Sequence, residues 1–253
     1  MLAAERRDLL LARLRRDGKL VARDLARELG LSEDSVRRDL RELATAGLCQ
    51  RVYGGALPVS PATGELLERF AIAPESKRRV AARAARLITP GTTVILDSGT
   101  TALAVAATLD ANLSATIITH SPTIGSALVN HPSVDVFMLG GRLFKHSAAA
   151  CGAAAAEAAS AVSADIYLLG VAGIHPKRGL TTGDADEAAM KRILVSRAAD
   201  TYVLASAEKL GTVSSYSVIG LSEVAGIISD AGSDHPTIRQ LRKRGVHVIH
   251  APS

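Results

Sequence analysis

Residues 32–57 read SEDSVRRDLRELATAGLCQRVYGGAL. Ser32 is a good helix N-cap, and Glu33 and Asp34 suit the positive end of the dipole that follows. Val36, Leu40 and Leu43 recur at helical spacing and form one apolar stripe. With Val36 at 0° and about 100° per residue, Arg37, Arg41, Thr45 and Arg38 fall at about 100°, 140°, 180° and 200°. One face is built to be held by a core, and the opposite face carries arginines and a threonine. Asp34 shares the basic face, so this helix alone would read equally well as a solvated surface. Gly47 ends it, residues 48–53 alternate as a strand does, and Gly54-Gly55 is a turn signal.

The flanking segments decide between the two readings. Upstream, residues 4–16 carry Leu10, Leu11 and Leu14 on one helical face, stopped by Gly18. Residues 22–29 repeat the pattern with Leu25 and Leu29, stopped by Gly30. Three short helices and a small hairpin describe a winged helix-turn-helix, whose third helix enters the major groove of DNA. Arginine suits that task because its planar fork pairs bidentately with guanine or phosphate. The candidate DNA contacts are Ser35, Arg37, Arg38, Arg41, Thr45 and, on the hairpin, Arg51. Tyr53 is expected to pack rather than to read bases.

Composition is consistent with this. The chain has 253 residues, is 47% hydrophobic and carries a formal charge of +5. Residues 1–56 hold twelve Lys/Arg against nine Asp/Glu, so the positive excess is denser at the N-terminus. An anionic partner is plausible on that basis. Cys49 and Cys151 stand far apart in no metal spacing, which argues against a disulfide framework or a zinc site. No metal or cofactor is expected. Residues 1–18 are charged throughout, unlike a signal peptide. The alanine-rich tract from Ser147 is broken by Glu157, falls short of the ~20 apolar residues of a membrane span, and reads as helix. The expectation is a soluble, cytoplasmic protein without a membrane partner.

Residues 57–65, LPVSPATGE, read as a linker. The expected organisation is a DNA-binding domain over 1–57, a linker over 58–74 and a second domain over 75–253. The latter opens with a helix over about 75–88. Apolar runs at 94, 115, 134, 165, 201, 224 and 246 then alternate with helical segments. That alternation predicts an α/β domain with a mostly parallel sheet covered on both faces.

Its most informative stretch is VILDSGTTALAVAATL, from Val94. A buried strand ends at Asp97, and the small loop Ser98, Gly99, Thr100, Thr101 leads into a helix. Such a junction presents free backbone N–H groups to an anion. It is neither a Walker loop nor a dinucleotide fingerprint. Other strand exits bring Thr119, His120 and Ser121, then Gly140 and Gly141, then Thr181 with Thr182, Glu187 and Lys191, and finally Lys209. Ligands of open α/β sheets bind beyond the carboxyl ends of strands. A lysine there can neutralise a phosphate and Glu187 can accept from sugar hydroxyls, while Glu187 and Lys191 at i, i+4 also read as a simple surface helix pair.

These motifs carry a resemblance. SEDSVRRDLRELATAGLCQRVYGGAL looks like the DNA-binding signature of the DeoR family of bacterial transcriptional regulators. ILDSGTTALA, MLGGRL, GLTTGDADEAAMKR and SAEKLG follow in the order of that family's sensor domain. The resemblance covers nearly the whole chain. It implies a repressor of a sugar or carbohydrate catabolism operon, usually oligomeric as a dimer or tetramer, that binds operator DNA and a phosphorylated sugar. It implies a sensor fold related to ribose-5-phosphate isomerase and glucosamine-6-phosphate deaminase. It also implies that Ser98, Gly99, Thr100 and Thr101 hold the phosphate and that Lys209 contacts the ligand. Thr119-His120-Ser121, Ser206 and Gly152-Ala153 depart from the family pattern and bear on the effector's identity. The rival reading is an isomerase- or deaminase-like enzyme with a DNA-binding appendage. Enediol chemistry needs a carboxylate base, and the positions that resemble the isomerases' acidic ones are Gly170, Gly173 and Met190, so no enzyme activity is expected.

Overall fold

The computed structural model describes residues 1–252, the side chain of Thr63 apart. The N-terminal head runs α1 (Ala3–Asp17), β1 (Leu20–Val21), α2 (Ala22–Leu29), α3 (Glu33–Thr45), β2 (Gln50–Val52) and β3 (Gly55–Leu57). The Ser32 hydroxyl accepts from the Ser35 N–H at 3.2 Å, which satisfies one of the donors left open at the start of α3. Leu10 and Leu14 of α1, Leu25 of α2, and Val36, Leu40 and Leu43 of α3 share one core with Cys49 and Ala56. The hairpin is a three-stranded sheet in the order β1-β3-β2, because Leu20 pairs with Ala56 across from the wing. Gly55 is required there: a Cβ would stand 1.8 Å from the Leu20 carbonyl oxygen. Residues 20–21 are too short to show strand alternation in sequence.

The following segment is more structured than a tether. It holds a 3-10 turn (Pro61–Thr63) and a six-residue helix, α4 (Leu66–Ala71), before α5 (Pro74–Ala85). Val59 forms a parallel bridge with Val213, and the Ser60 hydroxyl donates to the Ala172 carbonyl. The prolines and glycine that suggested a linker instead shape a chain laid along the sensor.

The sensor continues with β4 (Thr93–Leu96), α6 (Thr100–Ala106), β5 (Ala115–Thr119), α7 (Pro122–Leu128), β6 (Val134–Met138), β7 (Arg142–Phe144), β8 (Ala149–Cys151) and α8 (Ala153–Ser160). It ends with β9 (Ala164–Gly170), β10 (Gly173–His175), β11 (Gly179–Thr182), α9 (Ala185–Val195), β12 (Ala198–Ala205), β13 (Tyr216–Ser217), β14 (Gly226–Ser229), α10 (Pro236–Lys243) and β15 (Val248–His250). The seven apolar runs seen in the sequence form one sheet in the order β15-β14-β12-β9-β4-β5-β6. All its pairings are parallel. Strand alternation divides the core. Ile95, Ile118, Leu169, Val203 and Ile227 face Ala155, Met190, Leu194, Ile238 and Leu241 from α8, α9 and α10. Val94, Leu96, Ile117, Leu168, Leu204 and Ile228 face Val80, Ala84, Val105 and Ile124 from α5, α6 and α7. Both sheet faces are dry, which is why the strands read as continuous apolar runs.

Two small antiparallel units sit outside this sheet: the hairpin β7-β8 and the sheet β10-β11-β13. The alanine-rich tract is only partly helical, because Ala149–Cys151 pairs with Arg142–Phe144. Cys49 and Cys151 are buried free thiols. Among the described residues no helix is long and apolar enough to cross a membrane.

Candidate functional site

Chain order reverses direction in the sheet between β4 and β9: β5 and β6 lie to one side, β12, β14 and β15 to the other. The loops leaving β4 and β9 therefore part, and a crevice opens at their carboxyl ends. A cavity of about 120 Å³ lies there. Ser98, Gly99, Thr100 and Thr101 after β4, Gly170 and Ala172 after β9, and Lys209 after β12 line it. Thr182, Asp184, Glu187 and Lys191 bring β11 and α9 to the wall, and Phe144, His146 and Ser147 bring the β7-β8 hairpin. Ala62, Arg69, Ile72 and Lys77 complete it from the interdomain segment and α5.

Part of the cavity wall is cationic. The Lys209 ammonium donates to the Thr101 hydroxyl and the Leu204 carbonyl, each at 3.3 Å. Burial, reinforced by Lys77 and Arg69 nearby and opposed by Glu208, pushes it down to about 8. Burial likewise lowers Lys77 and Arg69. Three cations held together at a buried place are stabilised by an anion. Gly99 adopts φ +94°, a conformation that lets the loop turn its backbone toward this part. Another part is an acceptor: the Glu187 carboxylate, bonded by the Thr182 hydroxyl, lies beside Asp184.

Behind the loop stands a buried hub. Asp97 Oδ1 accepts from the Ser98 N–H at 2.8 Å and faces His120 Nε2 at 2.9 Å. Its Oδ2 accepts from the Gly170 N–H and the Lys191 ammonium, both at 2.7 Å. Burial alone would raise the Asp97 pKa, but Lys191 and His120 outweigh it and hold the carboxyl well below the usual carboxylate range. A side chain at Gly170 would press on the Ser98 carbonyl at 3.1 Å and on Asp97.

The expected ligand contacts thus divide. Ser98, Gly99, Thr100, Thr101, Glu187 and Lys209 share the cavity wall. Asp97, Thr119, His120, Ser121, Gly140, Gly141 and Thr181 are not among the lining residues. Asp97 and His120 are occupied with each other, and His120 Nδ1 faces the Ala150 carbonyl at 3.0 Å. Thr119 accepts from the Ser121 N–H, and Ser121 donates to the Ala148 carbonyl. Thr181 bonds Gly173 and Ser214 within the small sheet. Gly140 and Gly141 leave β6 toward the hairpin, where a Cβ on Gly141 would stand 2.7 Å from that of Ala155. Arg69, Lys77, His146 and Ser147 are cavity residues that sequence reasoning missed, since no local motif brings them together. The departure at Ser206 is also off the wall, its hydroxyl bonding Glu208 at 2.7 Å.

In the head, Arg37, Arg38, Arg41, Thr45 and Arg51 are all exposed, and Ser35 is half-buried at the α3 cap. Three of the four acids on α3 are engaged: Asp39 is buried and bound by Arg6, Glu42 pairs with Arg7, and Glu33 pairs with Arg37 at 2.6 Å, while Asp34 is exposed and makes no ion pair among the described residues. Arg38 and Arg41 make no ion pair among the described residues. Tyr53 does not pack as expected; it is fully exposed at the wing tip, because β2 ends at Val52 and the chain turns away from the core there.

A winged head with an outward basic helix, joined to an α/β domain with a polar crevice, defines a DNA-binding regulator with a ligand sensor. Residues 6–62 match the DeoR-like helix-turn-helix domain, and residues 72–231 match the DeoR C terminal sensor domain. The chain belongs to the DeoR family of transcriptional regulators. It is 33% identical over 250 residues to an Escherichia coli O157:H7 protein named for transcriptional repression of the aga operon, covering 97% of this chain and 93% of that one. It is 27% identical over 232 residues to the glycerol-3-phosphate regulon repressor of Escherichia coli K12, covering 91% and 92%. The family and these relatives are regulators, not enzymes. Among solved structures, ribose 5-phosphate isomerase A from Methanocaldococcus jannaschii superposes on 54% of the chain with a TM-score of 0.40 and 18% identity, covering 54% of that protein.

Proposed function

We propose that the chain represses a carbohydrate catabolism operon and is controlled by a phosphorylated sugar or polyol bound in the crevice. The observation that carries this is a convergence of unsatisfied polar atoms. Among the described residues, Arg69 Nε, Ser98 Oγ, His146 Nδ1, Ser147 Oγ and Glu208 Oε2 are buried without a hydrogen-bond partner, and all five residues line the same cavity. Buried polar groups are rarely left so. Cations and hydroxyl donors interleaved with the Glu187 and Glu208 carboxylates fit a ligand with both an anionic group and hydroxyls. The named role of the glycerol-3-phosphate regulon repressor agrees with that chemistry. On this reading Ser98, Gly99, Thr100, Thr101 and Lys209 take the phosphate, and Glu187 takes hydroxyls. Ser35, Arg37, Arg38, Arg41, Thr45 and Arg51 meet operator DNA. Two copies would place two heads on half-sites roughly 34 Å apart, one helical turn of the duplex.

The test is a thermal-shift screen with inorganic phosphate and a panel of sugar phosphates. At about a hundredfold excess over Kd, binding adds ~2.7 kcal/mol, expected as a rise of roughly 5–10 °C for a chain of this size. Lys209→Ala is expected to abolish the shift. No rise with any of these anions would remove the sugar-phosphate reading and leave the DNA-binding one. The response also has a pH signature. Lys209 is charged below about 8, and a bound anion favours the charged form. Anion affinity is therefore expected to be full below about pH 7 and to fall as pH rises through 8, with protons taken up on binding near pH 8. An affinity flat from pH 7 to 9 would show that Lys209 does not meet the anion.

A further inference from the structure

The interdomain segment enters the cavity itself. Arg69 lies on α4, outside the matched sensor domain, yet its Nη1 stands 3.8 Å from where a Cβ on Gly99 would lie. Its Nη2 donates to the His146 carbonyl at 2.7 Å, and its Nε is buried without a partner. The Lys77 ammonium donates to the Arg69 carbonyl, tying the end of α4 to α5. Ala62 and Ile72 line the same cavity from either side of α4.

Little else holds α4 in place. It has six residues and buries none of them; Leu67 is 81% exposed and Phe70 44% exposed. A helix this short is not stable alone in water. It meets α5 through Ala73, a non-glycine residue at φ +46°, a conformation that L-residues rarely adopt. The chain is anchored on both sides, at Val59 and Ser60 and again at α5. Between these anchors α4 rests on α6, with Leu66 half-buried, and reaches the cavity mouth through Arg69.

We propose that Arg69 is a ligand-contacting residue, and that an anion bound between Arg69 and the Ser98–Thr101 loop fixes α4 against the sensor. The proposal rests on the anion reading of the cavity. A ligand shifts such an equilibrium only by its different affinity for the two arrangements. Here that difference comes from a guanidinium belonging to the connecting chain.

The experiment is hydrogen exchange on the full-length protein, titrated with inorganic phosphate and followed at residues 64–72 and 98–101. In the wild type, phosphate is expected to slow exchange in both segments. In Arg69→Gln, half-protection of 98–101 is expected to need about tenfold more phosphate, equivalent to ~1.4 kcal/mol, while 64–72 stays at its phosphate-free rate. Arg69→Lys, which keeps the charge without the fork, is expected to fall between and guards against misfolding of the glutamine variant. Arg78→Gln, an equal loss of charge on the exposed face of α5, is expected to match the wild type. Protection of 98–101 without protection of 64–72 in the wild type overturns the proposal alone. So does an Arg69→Gln protein that matches the wild type in both segments. No protection of 98–101 overturns it together with the anion reading.

Discussion

Replacing Asp97 by asparagine is expected to destabilise the sensor by about 3–5 kcal/mol, the range found when one partner of a buried ion pair is removed. Four groups converge on this carboxylate, the N–H groups of Ser98 and Gly170 and the side chains of His120 and Lys191. An asparagine presents two donors of its own where donors already point inward. It also leaves Lys191 buried, with only Glu187 at 3.7 Å to balance it. At roughly 2–4 °C per kcal/mol for a domain of this size, the melting temperature is expected to fall by about 10 °C or more. Adding Lys191→Met to the Asp97→Asn protein removes the stranded cation and is expected to restore part of the loss. A single variant melting within about 2 °C of the wild type would show that the hub carries little stability.

The same carboxylate sets a pH dependence of definite sign. Its folded-state pKa is depressed by Lys191 and His120 against the opposing effect of burial. The stability it confers is therefore fully present above the unfolded value of about 3.9 and is lost as pH falls toward the folded value. Acid unfolding of the Asp97→Asn protein is expected to show a shallower slope below about pH 4. An unchanged slope would place the acid sensitivity elsewhere.

The other large effect concerns the head. Arg38→Ala combined with Arg41→Ala is expected to weaken operator binding by about thirtyfold or more, since each bidentate arginine–base pair is worth about 1–3 kcal/mol. The melting temperature should hardly move, because both side chains are exposed. Arg37 is paired with Glu33, so Arg37→Ala should cost less than either. Where an arginine meets phosphate instead of a base, its loss should weaken binding to all sequences and flatten the salt slope by about one unit. Gel-shift titrations at several salt concentrations on operator and random duplexes separate the two cases. A double variant with wild-type affinity and salt slope would mean that α3 does not read DNA.

Elements whose burial is periodic were legible in the sequence. The α2 bounds were readable to the residue, and the seven strands of the parallel sheet were visible because both faces are apolar. Short antiparallel pairs were not. Ala149–Cys151 carries no strand pattern and continues into helix-forming alanines, so only its partner Arg142–Phe144 makes it a strand. At the cavity, the loop Ser98–Thr101 and Lys209 stood at strand exits where ligands bind. His120, Thr119 and Ser121 stood at such an exit too, but their polar atoms turn into the protein. A buried polar residue that meets a ligand and one that meets a neighbour look alike in one dimension. Arg69 was hidden for the opposite reason: it sits in a short stretch, ELLERFAIA, that carries no ligand motif, and only tertiary folding carries it to Gly99.

The sheet order has a consequence for how the molecule comes into being. The head's core is local: it joins Leu10 to Ala56 and no later residue. The pairing at the centre of the sensor is not, since Val94 on β4 must wait for Ile166 on β9. Contacts of large sequence separation form slowly, and N-terminal units fold first during synthesis. On a growing chain the DNA-reading unit is thus complete while Gly170, Lys191 and Lys209 have yet to emerge. For that interval the regulator has a reader and no sensor.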